Sequence, residues 1–175
     1  ASYATELPAV RDRLRDAGKI VTYATFSTLF AADAEAQKLL LHDLDTARAL
    51  GAPLLRVFPG AARADLDDPA WDAARAAVDH AASQGVIIAL ENYARQPGNR
   101  LSELIHILDN LRAPALMTNI DIGNYATNGD DVVTAIRALG DRAVYAHLKD
   151  KSGASSDDTT TLGRGTLPMR AIVTA

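Results

Sequence analysis

Three ionisable side chains stand where chemistry is possible. Glu91 follows the apolar run 87–90, Asp121 follows the run 117–120, and His147 follows the run 144–146. Each run is short and strand-forming, so each of these residues is expected at the C-terminal tip of a strand. Two carboxylates and an imidazole suit a hard or borderline divalent cation: Mn2+, Mg2+, Co2+ or Zn2+. Three protein ligands leave room for a fourth ligand and for substrate oxygens. Taken singly, a carboxylate after a strand is more often a helix cap or a loop residue, and a lone histidine is more often packed or solvated. Recurrence at the same strand phase in three successive units favours a joint role.

The elements that must position them alternate along the chain. Residues 7–17 read as a helix stopped by Gly18, and residues 20–26 as a strand. A helix over 33–50 turns Leu40, Leu41, Leu44 and Ala47 inward and ends at Gly51. The strand 54–58 is broken by Pro59-Gly60. Asp68-Pro69 starts a helix, a capping aspartate with proline at the first helical position, which buries Trp71, Ala74, Val78 and Ala81 and ends at Gly85. A strand over 86–90 follows. Ser102 is expected to cap a helix carrying Leu104, Ile105, Leu108 and Leu111. The next strand spans 115–120. Asp130 is expected to cap a helix with Val133, Ile136 and Leu139 inward. The strand 143–148 leads to a polar loop over 151–161, then to Leu162-Gly163-Arg164-Gly165, and Pro168 opens a last helix.

The strands begin near residues 20, 54, 86, 115 and 144, in steps of 29 to 34 residues. That is the size of a strand-plus-helix unit, and such alternation predicts a parallel sheet. Two architectures fit: an open, doubly wound sheet, or part of a closed (β/α)8 barrel of roughly 250 residues. The barrel is favoured, because in a barrel the strand tips converge on one site. An open sheet uses a glycine-rich phosphate loop at the switch in strand order, and no GxGxxG or Walker-type loop occurs here. The expectation is one partial barrel domain over residues 1–175.

Composition narrows the function. A net charge of −4 leaves no electrostatic footprint for nucleic acid. The absence of cysteine excludes disulfides, thiolate zinc sites and cysteine nucleophiles. No apolar run is long enough for a membrane span and no signal peptide is evident, so the default compartment is the cytoplasm. The chain opens at Ala1 without methionine, which points to a preceding segment.

The segments Leu90-Glu91-Asn92, Asp121-Ile122-Gly123-Asn124, His147-Leu148-Lys149-Asp150 and Leu162-Gly163-Arg164-Gly165 resemble, in order and spacing, the xylose-isomerase-like barrel superfamily. These are sugar-phosphate isomerases and epimerases, with inosose dehydratases and, distantly, endonuclease IV. The resemblance covers nearly the whole chain. It implies a (β/α)8 barrel of which two strands lie before Ala1 and one after Ala175. It also implies a fourth metal ligand, a glutamate on the eighth strand, beyond this sequence. In the family's epimerases two metal-bound glutamates flank the substrate; one removes a proton beside the carbonyl and the other returns it from the opposite face. Glu91 supplies one face, and this chain alone is expected to be inactive unless it is longer or a partner completes it. Arg164 departs from the acidic residue the resemblance implies in the Gly-x-Gly loop.

Other residues carry weaker expectations. Lys149, beside the ligand histidine, is a candidate to contact substrate during catalysis. Asn92, Asn124, Arg56 and Asp150 are candidates for substrate binding, with Asp150 alternatively orienting His147 or capping a loop. Arg95 is a further anion candidate, and Tyr93 a wall over a sugar ring or simple packing. His42, His80 and His106 fall on helical stretches and are expected to be exposed.

The leading expectation is a metal-dependent isomerase or epimerase of a small sugar or sugar phosphate, passing through an enediolate. The alternatives are a dehydratase of a polyol ketone such as an inosose, and a non-catalytic partial-barrel binding protein. A homo-oligomer is possible, and neither nucleic acid nor membrane is an expected partner.

Overall fold

A computed structural model describes residues 3–93, 96–153 and 158–175. The elements run α1 (Tyr3–Asp16), β1 (Tyr23–Phe30), α2 (Ala34–Leu50), β2 (Leu54–Gly60), α3 (Pro69–Gln84), β3 (Ile87–Glu91), α4 (Leu101–Leu111), β4 (Leu116–Asp121), α5 (Ile122–Asn128), α6 (Val132–Leu139), a 3-10 turn (Gly140–Arg142), β5 (Ala143–His147), β6 (Asp150–Lys151), β7 (Thr159–Thr160) and α7 (Met169–Thr174).

β1 to β5 form one parallel sheet in the order β1-β2-β3-β4-β5. Every strand pairs with its predecessor, so the strand order never reverses. A doubly wound sheet needs such a reversal to create its ligand crevice. Its absence identifies the sheet as an arc of a singly wound (β/α) barrel. Side chains alternate across this arc with period two. Leu55, Val57, Ile88 and Leu90 join the core under the helices. Arg56, Phe58, Ala89 and Glu91, at the intervening positions, take the opposite, concave face.

The core lies between the sheet and the helices. α2 contributes Leu40, Leu44 and Ala47; α3 contributes Trp71, Ala74, Val78 and Ala81; α4 contributes Leu104, Ile107, Leu108 and Leu111. Trp71 meets Phe30 edge-on at 4.8 Å between ring centroids and donates its indole N–H to the Arg63 carbonyl at 3.1 Å. Helix starts are fixed by side-chain acceptors. Asp33 accepts from the Ala36 N–H at 2.9 Å, and Asp68 accepts from the Ala70 N–H at 2.8 Å. Gly51 and Gly85 end α2 and α3 in the left-handed region, which a residue without Cβ enters freely.

Several boundaries differ from the sequence-based expectation: α1 begins at Tyr3 rather than residue 7, β2 runs on through Pro59-Gly60 instead of breaking there, and α5 directly follows β4 where no helix is expected. β1 lies three to four residues later than the apolar run 20–26, over Tyr23–Phe30. Ile20 is 88% exposed, whereas Leu29 and Phe30 are buried. The polar pair Ser27-Thr28 hid the true strand: Ser27 is buried because its hydroxyl donates to Asp43 on α2 at 2.6 Å. α4 starts one residue before Ser102, with the Glu103 carboxylate accepting from the Arg100 N–H at 3.0 Å. α6 is capped by Asp131, not Asp130, through the Thr134 N–H at 2.7 Å. The stretch expected as a polar loop contains the antiparallel pair β6–β7.

Replacing Trp71 with alanine removes the largest buried side chain under β1 and α3 and is expected to cost about 3–5 kcal/mol of stability. Leu39→Ala, on the exposed face of α2, is expected to change stability by less than about 0.5 kcal/mol. Urea unfolding of both variants measures the contrast.

Candidate metal centre

β3, β4 and β5 end on Glu91, Asp121 and His147 respectively. In the sheet register Glu91 lies opposite Asn119, and Asp121 lies opposite His147. Glu91 therefore starts two residues lower than the other pair, the stagger that a closing barrel imposes. The glutamate side chain rises across that offset. His147 Nδ1 is 3.1 Å from Glu91 Oε1 and 3.4 Å from Asp121 Oδ2. One ligand atom from each of the three residues lies within 4.8 Å of the others. Ligands held about 2.0–2.2 Å from one cation are roughly 3–4 Å apart, so only small side-chain adjustments separate this arrangement from a shared coordination shell.

Burial makes the arrangement electrostatically demanding. Glu91 is 4% exposed and Asp121 is fully buried, while the His147 side chain is 35% exposed and faces the mouth of the site. Two bases offset the two acids. Arg56 Nε lies 2.8 Å from Glu91 Oε2, and Lys149 Nζ lies 2.5 Å from Asp121 Oδ2. Neither contact is aligned as a hydrogen bond. Among the described residues, Glu91 Oε2 and Asp121 Oδ2 are both buried oxygens without a directed donor. Undirected carboxylate oxygens beside an imidazole nitrogen fit a metal ion, which needs lone pairs rather than hydrogens. Glu91, Asp121 and His147 are the residues able to hold it.

The neighbouring side chains divide into those that build the centre and those that face it. Asn92 lashes the tips of β3 and β4 together. Its Nδ2 donates to the Asp121 carbonyl at 3.0 Å, and its Oδ1 accepts from the Asp121 N–H at 2.8 Å. Both ends of this amide are thereby engaged by backbone. Asp121 Oδ1 accepts from the Asn124 N–H at 3.0 Å, which starts α5 immediately after this residue. The Asn124 Nδ2 is buried and, among the described residues, has no partner, so it offers a donor. Arg56 also donates from Nη1 to the Thr25 carbonyl at 2.8 Å and lies 4.7 Å over the Phe58 ring. Tyr93 stacks on Phe58 at 5.0 Å, and Phe58 meets Phe26 at 6.0 Å, forming an aromatic strip beside Arg56.

Asp150 is turned into the loop that follows β5. Its oxygens accept from the N–H groups of Lys151, Gly163, Gly165 and Leu167 at 2.9 to 3.2 Å. A Cβ on Gly165 would fall 2.2 Å from Asp150 Oδ1 and 2.3 Å from the Lys151 carbonyl. Gly163-Arg164-Gly165 is thus a collar around a buried carboxylate, with Arg164 itself exposed. Neither His147 nor Lys149 is among the hydrogen-bond partners of Asp150. Arg95 lies outside the described residues. His42 and His106 are exposed, and His80 is half-buried against Asp45 at 2.8 Å.

Asn119 was not singled out from the sequence. It is buried on the concave face, with Nδ2 at 3.4 Å from His147 Nδ1 and, among the described residues, Oδ1 unpartnered. Its position two residues before Asp121 is the available signal, since period two puts both on one face.

Burial works to raise the pKa of Asp150, but the four backbone donors outweigh it and hold the carboxyl below its ordinary value of 3.8. A depressed folded-state pKa contributes stability that is present above the unfolded value and lost as pH falls through the folded one. Asp150→Asn, which aims an NH2 group or a weaker acceptor at those donors, is expected to be less stable than the parent at pH 7. The gap is expected to narrow at pH 3, as read from urea midpoints at the two pH values.

A family model described as xylose isomerase-like TIM barrel matches residues 1–175, the entire chain. No curated protein matches it. Among solved structures, a D-allulose 3-epimerase from Methylomonas sp. in complex with D-allulose superposes with a TM-score of 0.76 at 21% identity, covering 97% of this chain and 63% of that one. A xylose isomerase domain protein from Planctomyces limnophilus gives 0.78 at 19% identity, covering 98% and 71%. A probable 3-DHS dehydratase from Bacillus anthracis gives 0.75 at 17% identity, covering 98% and 74%. The chain spans less than two thirds of the length of the two epimerases that head this comparison, 63% and 60%.

Proposed function

The chain belongs to the xylose isomerase-like TIM-barrel family, and we propose that it serves a divalent-metal-dependent isomerase or epimerase of a small sugar or sugar phosphate. The observation that carries this reading is the convergence of Glu91, Asp121 and His147 at three successive strand tips. A bound Mn2+, Mg2+, Co2+ or Zn2+ would supply polarisation of the substrate carbonyl. The rest falls to side chains of this chain. Glu91 takes the proton next to the carbonyl, which yields an enediolate. Its burial excludes water that would otherwise compete for that proton. His147 and Asp121 hold the reacting end at the mouth of the barrel, and Lys149 and Asn124 offer donors to hydroxyls or to the developing oxyanion. The aromatic strip of Tyr93, Phe58 and Phe26 gives an apolar wall for a sugar ring.

A second reading, loss of water from a polyol ketone, is supported by the dehydratase among the similar folds. It uses the same proton abstraction, followed by departure of a β-hydroxyl. The two are separated by supplying Mn2+ and ketose substrates in D2O. NMR is expected to show deuterium at the carbon beside the carbonyl without formation of an unsaturated product. Glu91→Gln is expected to slow this exchange by about 10^2–10^4-fold. Exchange at the parental rate in Glu91→Gln would refute the role of this residue, and accumulation of an enone would favour the lyase.

A further inference from the structure

We propose that Lys149 is an internal competitor of the cation: its ammonium stands in for metal charge at Asp121 and has to leave before the centre fills. The inference rests on the reading of Glu91, Asp121 and His147 as a metal centre.

The first observation is charge balance. Two carboxylates face two bases, Arg56 on Glu91 and Lys149 on Asp121. Counted over these four charged groups alone, the cluster is formally uncharged. A divalent ion added to it brings two uncompensated charges into a buried place, and expelling one base halves that excess. The second is geometry. Asp121 Oδ1 already accepts from Asn124, so Oδ2 is the oxygen left for a ligand bond, and it is the one that Lys149 Nζ approaches to 2.5 Å.

The third is the difference between the two bases. Arg56 is held by the Thr25 carbonyl and the Phe58 ring as well as by Glu91, and its side chain is 19% exposed. Lys149 has a side chain 37% exposed, and among the described residues its ammonium has no polar partner other than Asp121. Its stem is the fixed part. A Cβ on Gly123 would come within 3.1 Å of Lys149 Cβ and Cδ, so the chain lies flat on the first turn of α5. The head is free to swing off Asp121 toward the open mouth of the site, where a substrate hydroxyl would meet it, while the stem stays in place. Arg56 is therefore a permanent counter-ion and Lys149 a displaceable one.

Two measurements on the full chain test this. Calorimetric titration with Mn2+ is made on the parent, Lys149→Met, Lys149→Arg and Lys38→Met. Lys38 is an exposed residue of α2 paired with Glu35, and its loss changes net charge equally. Lys149→Met is expected to bind at least tenfold tighter than the parent. Lys149→Arg, which keeps the cation, and Lys38→Met are expected to stay within about threefold. Independently of any variant, amine acetylation read by mass spectrometry is expected to rise several-fold at Lys149, and not at Lys38, when Mn2+ is added to the parent. Equal or weaker binding by Lys149→Met, or unchanged labelling of Lys149, overturns the proposal while leaving the metal centre standing. If the parent binds no Mn2+, both the centre and the competitor fail together.

Discussion

Two carboxylates almost withdrawn from water within one small cluster are the constraint on which the rest depends. A lone buried carboxylate is costly, and a second one nearby adds repulsion that low dielectric does not screen. The fold meets this with a base for each acid and an imidazole between them. Each compensating group comes from a different element: Arg56 from β2, His147 from β5, and Lys149 from the turn after it. The electrostatics of the tips thus hold together a stretch of sheet spanning four strands.

Backbone geometry makes that compensation possible. The uninterrupted strand order sends every tip to the same end of the arc. The two-residue stagger between β3 and β4 leaves Glu91 below the other two tips, and its side chain nevertheless brings Oε1 to 3.1 Å from His147 Nδ1. Asn92 then fixes β3 to β4 by gripping both backbone groups of Asp121. On the far side, Asp150 gathers four amides and pins the loop that follows β5. A buried acceptor with this many donors is a local anchor, and it keeps Lys149 close to the tip without touching the triad.

The strand tips were legible in the sequence because each pairs a short apolar run with a terminal ionisable residue, a pattern that survives without knowledge of partners. Helix starts at Asp33 and Asp68 were legible for the same local reason. What stayed hidden depended on distant partners. Ser27 looks like a strand breaker until Asp43, sixteen residues on, is seen to accept its hydroxyl. For Asp150 the sequence leaves substrate binding, orienting His147 and capping a loop all open; the closure of Gly163 and Gly165 around it shows the last. Lys151, read as part of a polar loop, is buried. Asn119 was within reach of the alternation rule, but an uncharged residue drew less notice than the aspartate beside it. The preference for a barrel arc over an open sheet was legible from the ionisable residues recurring at successive strand tips, and the uninterrupted strand order agrees with it.

The central claim is that Glu91, Asp121 and His147 share one cation. It is tested most directly by anomalous X-ray diffraction from crystals of this protein soaked in Mn2+. The account predicts a single strong manganese peak about 2.0–2.6 Å from a carboxylate oxygen of Glu91, an oxygen of Asp121 and a ring nitrogen of His147. A peak located elsewhere, or no peak at these three residues under saturating Mn2+, would contradict it.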